Sequence, residues 1–357
     1  MRTNLHIYPP PLKNEGRILR ETKSIINLKL ADYVYIAATW AKGLNKEEDI
    51  TDKIKVYRLK NIFSNLKKGT IWDILRFSAF LWQVIFKFSK KKNRPTIVNC
   101  HSLSVLLGGV YFKIFFKSYL IFDAHELETE RSGVFGYRKV IAKFLERSLI
   151  KKCDKLMVVC DSIGAWYLEH YPFLEGKISV LRNIPDLSGQ QEVKNVSLKR
   201  ELGIPENELL YIYQGAFFKG RGISTLLNAF ANMPDKNIVF MGYGPLHELI
   251  SEFAASHPNI YLKDAVPPAV LLSYTKTADV GISLTEHTCL NHYYALPNKV
   301  FEYSMAGVPL IVSNFPEMGG HVKHYKIGWV VTPGSNDLEE LLKTIDRKTL
   351  DEIKPNF

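Results

Sequence analysis

Strand-length runs of apolar and β-branched residues recur along this chain in two separate series, each run followed by a stretch of helical character. After the opening "NLHIYPPP" come "DYVYIAAT", "KIKVYRL", "TIVNC", "YLIFDA", "KLMVVC" and "ISVLRN". A polar break, "PDLSGQQEVKNVSLKRELGIPENE", interrupts them. The second series then runs "LLYIYQG", "NIVFMGYG", "NIYLKD", "VGISLT", "VPLIVS" and "GWVV", with helical stretches at 223–233 and 268–277 between them. Such alternation predicts parallel sheets with crossover helices. The 357 residues exceed what one hydrophobic core usually serves. The expectation is an α/β chain of two doubly wound, Rossmann-like domains, 1–190 and 191–357, joined near 184–205 and facing across a cleft. In open α/β sheets ligands sit outside the carboxyl ends of the strands, so function is sought in the loops after the strands.

The cysteines Cys100, Cys153, Cys160 and Cys289 form no CxxC pair and several lie in apolar runs, which fits a reducing cytoplasmic compartment. No charged-then-apolar leader opens the sequence. A net charge of +11 calls for an anionic partner or address. Its densest expression is "RFSAFLWQVIFKFSKKKNR", residues 76–94, an apolar helical stretch running into Lys90, Lys91, Lys92 and Arg94. The run at 71–88 approaches bilayer-spanning length, but Asp73, Arg76, Gln83 and Lys87 would be costly in lipid. Either it lies on an anionic membrane surface or it is an ordinary core helix with a solvated end. No nucleic-acid-binding module accompanies the charge, so no nucleic-acid partner is expected.

Three loops of the second domain carry chemistry. In "YQGAFFKGRGISTLLNAF", Gly215 ends a strand, Gly220 and Gly222 permit unusual backbone angles, and Lys219 and Arg221 precede a helix start. The combination suits a phosphate or diphosphate, although glycine loops also serve as plain tight turns. No GxxxxGK[ST] is present. The next strand ends in "MGYGP", where Gly242 and Gly244 allow close backbone approach, without the spacing of a dinucleotide fingerprint. In "ALPNKVFEYSMAGVPLIVS", Pro297 opens a short helix that Gly307 and Pro309 close before a strand. Asn298 and Glu302 lie one turn apart on one face. A carboxylate there accepts hydrogen bonds from two ribose hydroxyls, or it is a capping or ion-pair residue of an ordinary helix.

In the first domain His125 and Glu126 follow the buried strand "IFDA" directly, and His101 ends the preceding strand in the same way. A histidine in such a place bonds a sugar hydroxyl and titrates near neutrality, and a neighbouring carboxylate holds it or an acceptor hydroxyl in place. The alternative is a structural hydrogen-bonder at a strand end. His287 and His292 lack zinc-type spacing or an Asp-x-Asp partner, and no metal is expected.

Together "ALPNKVFEYSMAGVPLIVS", "YQGAFFKGRG", "MGYGP" and "DAHELETE" resemble a glycosyltransferase of family 4, over nearly the whole chain and most strongly from Tyr211 to Gly328. The resemblance implies the two-domain GT-B fold and a nucleotide-sugar donor (UDP- or GDP-linked) as co-substrate, with no cofactor or metal. It implies that Glu302 holds the donor ribose and that Lys219 or Arg221 holds the diphosphate. Gly215, Gly242, Asn298 and Lys299 complete the donor set, and backbone at Val266 reads the nucleobase. It further implies retention of anomeric configuration, with the leaving diphosphate deprotonating the acceptor. Two positions depart from the family pattern. Tyr294 stands where a second glutamate is often found, eight positions before Glu302, and the first loop, "PPPLKNEGRILRET", has one glycine with Arg17 beside it as a candidate phosphate contact. The expected function is transfer of a sugar to a lipid-linked or cell-envelope glycan such as lipopolysaccharide, capsule or exopolysaccharide, by a cytoplasmic protein peripheral to the inner face of the membrane. A non-catalytic nucleotide-sugar-binding subunit, or an epimerase or hydrolase on the same fold, are the rival readings.

Overall fold

The computed structural model describes residues 1–13, 15–60, 70–185, 190–193 and 195–357, with the backbone alone at 70, 71, 73 and 74. It divides into two compact units, Met1–Asn183 and Ile184–Phe357. Part of the polar break, at 186–189 and 194, lies outside the described residues.

The first unit is built on strands β1 (Thr3–Tyr8), β2 (Tyr33–Thr39), β3 (Glu47–Asp49), β4 (Ile54–Leu59), β5 (Ile97–Cys100), β6 (Tyr119–Ala124), β7 (Lys155–Val158) and β8 (Ile178–Val180). Its helices are α1 (Gly16–Asn27), α2 (Thr70–Phe88), α3 (Leu103–Phe116), α4 (Gly136–Ile150) and α5 (Asp161–His170). The strands form one sheet in the order β3-β4-β2-β1-β5-β6-β7-β8. Every pairing is parallel except β3 with β4. Strand order reverses at β1, so the loops after β1 and β5 diverge there, the usual place for a ligand. On one side Ile18 of α1 packs with Val34, Ile36, Ala38, Ile54 and Val56. α2 buries Phe80, Leu81, Val84 and Phe88, and Lys87 pairs with Glu47 at 3.2 Å. The apolar run at 71–88 is thus a helix that buries these residues while Trp82 and Phe86 stay exposed, and no helix among the described residues is long and apolar enough to cross a membrane.

The second unit carries β9 (Leu210–Ala216), β10 (Asn237–Tyr243), β11 (Ile260–Asp264), β12 (Val280–Ser283), β13 (Leu310–Ser313) and β14 (Gly328–Val331). They pair in parallel in the order β11-β10-β9-β12-β13-β14. Helices α6 (Leu198–Leu202), α7 (Ile223–Ala231), α8 (His247–Ser256), α9 (Leu271–Thr275), α10 (Leu290–Tyr293), α11 (Asn298–Met305), α12 (Pro316–Tyr325), α13 (Asp337–Thr344) and α14 (Arg347–Ile353) flank the sheet. Alternate residues of each strand enter two separate cores. Tyr211, Tyr213, Ile238, Phe240 and Ile282 pack with α7 and α13, whereas Leu210, Ile212, Val239, Met241 and Val312 pack with α6, α11 and α12. A sheet covered on both faces is the doubly wound arrangement that the apolar strands predict.

Two elements were not legible in the sequence pattern. β3, "EED", is a charged three-residue edge strand without apolar alternation. α6 forms inside the polar break, where the Ser197 side chain accepts the Arg200 amide and Gly203 ends the helix in the left-handed region.

Candidate active site

In the first unit the strand ends converge on Asp123. This buried carboxylate accepts from His101 Nδ1 at 3.0 Å and from His125 Nε2 at 3.1 Å through Oδ2, and from Arg17 Nη2 at 2.7 Å through Oδ1. Burial alone would raise its pKa, but the hydrogen bonds from His101 and His125 hold it well below the carboxylate range. An ionised Asp123 only accepts, so both histidine nitrogens facing it carry protons. His101 Nε2 is then the acceptor for His6 Nδ1, 2.8 Å away. Burial, and then the neighbouring imidazole, lowers the pKa of His6, and burial lowers that of His101 despite Asp123. His125 is the partly exposed end of this chain.

Arg17, the candidate phosphate contact, is buried: it donates to Asp123, to the Leu181 carbonyl at 3.1 Å, and lies 2.9 Å from Glu21. Glu21, pushed up to about 9 by burial and by the Asp123 charge, is a neutral acid beside it. Glu126 pairs with Arg131 at 2.8 Å, and the carboxylate holding His125 is Asp123. Glu128 ties the loop after β6 to the start of α3, accepting from Ser102 Oγ at 3.0 Å and the Leu103 amide at 2.8 Å. Two triads, His6–Glu21–His101 and His101–Asp123–His125, place potential metal-ligand atoms within 4.8 Å of one another. Here those of His6, His101, Asp123 and His125 are engaged with one another by the hydrogen bonds from His6 to His101 and from His101 and His125 to Asp123.

The second unit gathers its groups at the carboxyl end of β9. Glu302, on α11, accepts from Gln214 Nε2 at 2.7 Å, and Gln214 Oε1 accepts from Thr275 Oγ1 of α9 at 2.8 Å. Burial raises the pKa of Glu302, with Gln214 and Lys299 opposing. Lys299 Nζ stands 3.4 Å from the centroid of the Tyr213 ring, and its pKa falls well below the lysine range through burial and then the charge of Arg221. Gly215 (φ 105°) leaves room for the Lys299 chain, whose Cε would lie 3.2 Å from an added Cβ. Gly242 abuts the same turn, since a Cβ there would fall 1.8 Å from the Gly215 carbonyl oxygen. Tyr303 fixes α11 beneath these strands: its hydroxyl accepts the Gln214 amide at 3.1 Å and donates to the Ile212 carbonyl at 3.1 Å.

Gly215, Arg221, Gly242, Lys299 and Glu302 are therefore one neighbourhood. Lys219 is exposed on the loop that ends at Gly222, the N-cap of α7, and Asn298 is exposed at the start of α11. Val266 is partly buried against the core that includes residues of α11. Tyr294 follows α10 with its ring 5.2 Å from that of Tyr293. Gln214, Asp123 and Arg17's partner Glu21 are participants that sequence reading did not single out. The signal for Asp123 was present, since Asp-x-His at a strand end puts both side chains on one face. Gln214 is a single amide in an apolar strand and carried no such pattern.

Comparison with known proteins places these features. Residues 196–356 match the family model for glycosyl transferases group 1, and residues 30–188 match that for glycosyltransferase family 4. The chain is 24% identical over 306 residues to chitobiosyldiphosphodolichol beta-mannosyltransferase from Candida albicans, covering 79% of this chain and 66% of that protein's length. Among solved structures, sucrose-phosphate synthase from Thermosynechococcus elongatus matches with a TM-score of 0.78 at 14% identity, over 100% of this chain and 92% of that one. Anabaena HepE in complex with UDP and glucose matches with a TM-score of 0.73 at 13% identity, over 100% and 93%. With both units matched by the two halves of one family and the fold shared with these enzymes, the chain belongs to the family 4 glycosyltransferases of the GT-B fold.

Proposed function

We propose that the chain transfers a sugar from a UDP- or GDP-linked donor to a lipid-linked or cell-envelope glycan, the second unit holding donor and the first unit holding acceptor. The carrying observation is the pair of cations, Arg221 and Lys299, crowded beside Glu302 with Lys299 driven toward its neutral form. Such a site is short of negative charge, and a nucleoside diphosphate supplies it. Glu302, oriented by Gln214, takes the ribose hydroxyls, while Arg221, Lys299 and the exposed Lys219 face the diphosphate and stabilise it as it leaves. These cations do the work that a divalent ion would otherwise do, so the reaction proceeds without bound metal. His125, held by Asp123, orients sugar and acceptor hydroxyls. Glu126 faces the same acceptor, and Arg17 and His101 act through Asp123. Val266 backbone, Asn298, Gly215 and Gly242 shape the base and phosphate pockets.

HepE was solved with UDP, and the Candida relative is named for a lipid diphosphate acceptor, which supports this donor and acceptor class. Retention rests on the family resemblance, and the anomeric configuration of the product by NMR tests it. The direct test is a thermal-shift series with UDP, GDP, ADP and CMP on wild type and Glu302→Ala, because a ligand that binds only the folded chain raises its melting point.

A further inference from the structure

We propose that the outward face of α4, with the adjoining face of α3, is the surface by which this chain docks on an anionic lipid bilayer. In "GYRKVIAKFLERSLI" the residues Tyr137, Val140, Ile141, Phe144 and Leu145 recur at the spacing of one helical stripe. Such a stripe ordinarily faces the core. Here it faces out, with Tyr137 71%, Val140 70% and Phe144 70% exposed. The inward side is polar and fixed. Glu146, fully buried, accepts from Thr129 Oγ1 at 3.0 Å, Tyr167 Oη at 3.1 Å and Tyr171 Oη at 2.9 Å. Lys139 and Lys143 each meet Glu130 at 2.6 Å. The helix cannot roll its apolar side inward without stranding a buried carboxylate. α3 packs against α4 and carries exposed Leu107 and Ile114 of its own. An apolar patch of this kind on a folded unit marks an interaction site.

Charge selects the occupant. Of the five cations of α3 and α4, Lys113 pairs with Asp154 and Lys139 and Lys143 pair with Glu130, which leaves exposed Arg138 and Arg147. Exposed Lys151 and Lys152 follow directly. Aromatic and aliphatic side chains between cations suit the boundary of acyl chains and anionic headgroups. A second copy of the same face would bring these cations against one another. The surface rests on the lipid-linked acceptor reading above for its purpose, while its geometry is independent of that reading.

The test is co-sedimentation of the full chain with phosphatidylcholine vesicles, with and without phosphatidylglycerol. Wild type should pellet with the anionic vesicles and be released by salt. Ile141→Glu/Phe144→Glu, at exposed positions, should keep its melting temperature and partition roughly tenfold more weakly or worse. Arg138→Glu/Arg147→Glu should lose the preference for anionic lipid while keeping the apolar stripe. Wild type remaining in the supernatant, or Ile141→Glu/Phe144→Glu pelleting like wild type, would overturn the proposal. Dimerisation in sedimentation velocity that Ile141→Glu/Phe144→Glu abolishes, without vesicle binding, would overturn it too and give the face to a second copy. A UDP and GDP thermal shift on the same samples separates the two claims. Nucleotide binding without vesicle binding sinks the docking surface alone, and vesicle binding without nucleotide binding sinks the donor reading alone.

Discussion

At the proposed donor site, Lys299 is the residue whose chemistry should change most when a diphosphate binds. Burial and Arg221 depress its pKa in the free chain, with Glu302 opposing. A diphosphate placed against it restores the charged form, so binding should take up a proton and weaken as pH rises. Calorimetric titration of the preferred nucleoside diphosphate in two buffers of different ionisation enthalpy reads this uptake, and Lys299→Arg, charged throughout, should abolish the buffer dependence. A binding enthalpy identical in both buffers for wild type would contradict it. Glu21 carries a second pH effect, on stability. Its pKa is raised from 4.5 to about 9, so the folded chain holds this proton more tightly than the unfolded one. That contribution is complete below the unfolded value and is lost as pH rises through about 9. Asp123, depressed instead, has the opposite sign and acts only in acid. Glu21→Gln, neutral at every pH, should therefore melt higher than wild type near about pH 9 and converge with it near about pH 5. Melting curves that stay parallel would mean that Glu21 is ionised in the folded chain. Glu302 and Arg221 were legible in the sequence because short motifs surround them. Asp123, Glu21 and Gln214 were less so, since their roles come from strand pairing and packing that join residues up to 106 positions apart.

Among elements, α11 lies in tight contact with β12. Gly281 of β12 lies against the Tyr303 ring, so closely that a Cβ would fall 2.4 Å from it. Gly281→Ala should cost about 1–3 kcal/mol by overpacking. Because Tyr303 also holds the Gln214 amide, the same variant should show a smaller donor-induced thermal shift. Denaturant unfolding checks the first expectation; an unchanged midpoint would mean that the ring moves freely and does not lock α11. The buried parallel strands were readable because both faces are apolar and the runs are continuous. β3 and α6 were not, one being held by pairing with β4 and the other by its caps. α4 was hidden for a different reason: its amphipathic spacing is ordinary, and only its orientation in the fold shows which side faces water.

At the scale of the whole molecule, two sheets with separate cores divide the labour. The expectation of two doubly wound units came from the rhythm of the strands, and the division falls at Asn183 and Ile184. The second unit concentrates cations and one carboxylate at the carboxyl end of β9, and the first concentrates histidines around Asp123 at the ends of β5 and β6. The proposed transfer requires that the Glu302 neighbourhood bind a nucleoside diphosphate sugar. The measurement that tests it most directly is the thermal shift of wild type and Glu302→Ala with UDP and GDP, alone and as sugar conjugates. One nucleoside diphosphate should raise the wild-type melting temperature by several degrees and leave Glu302→Ala, equally folded without ligand, nearly unmoved. Equal shifts in both proteins, or none with any nucleotide, would contradict the assignment.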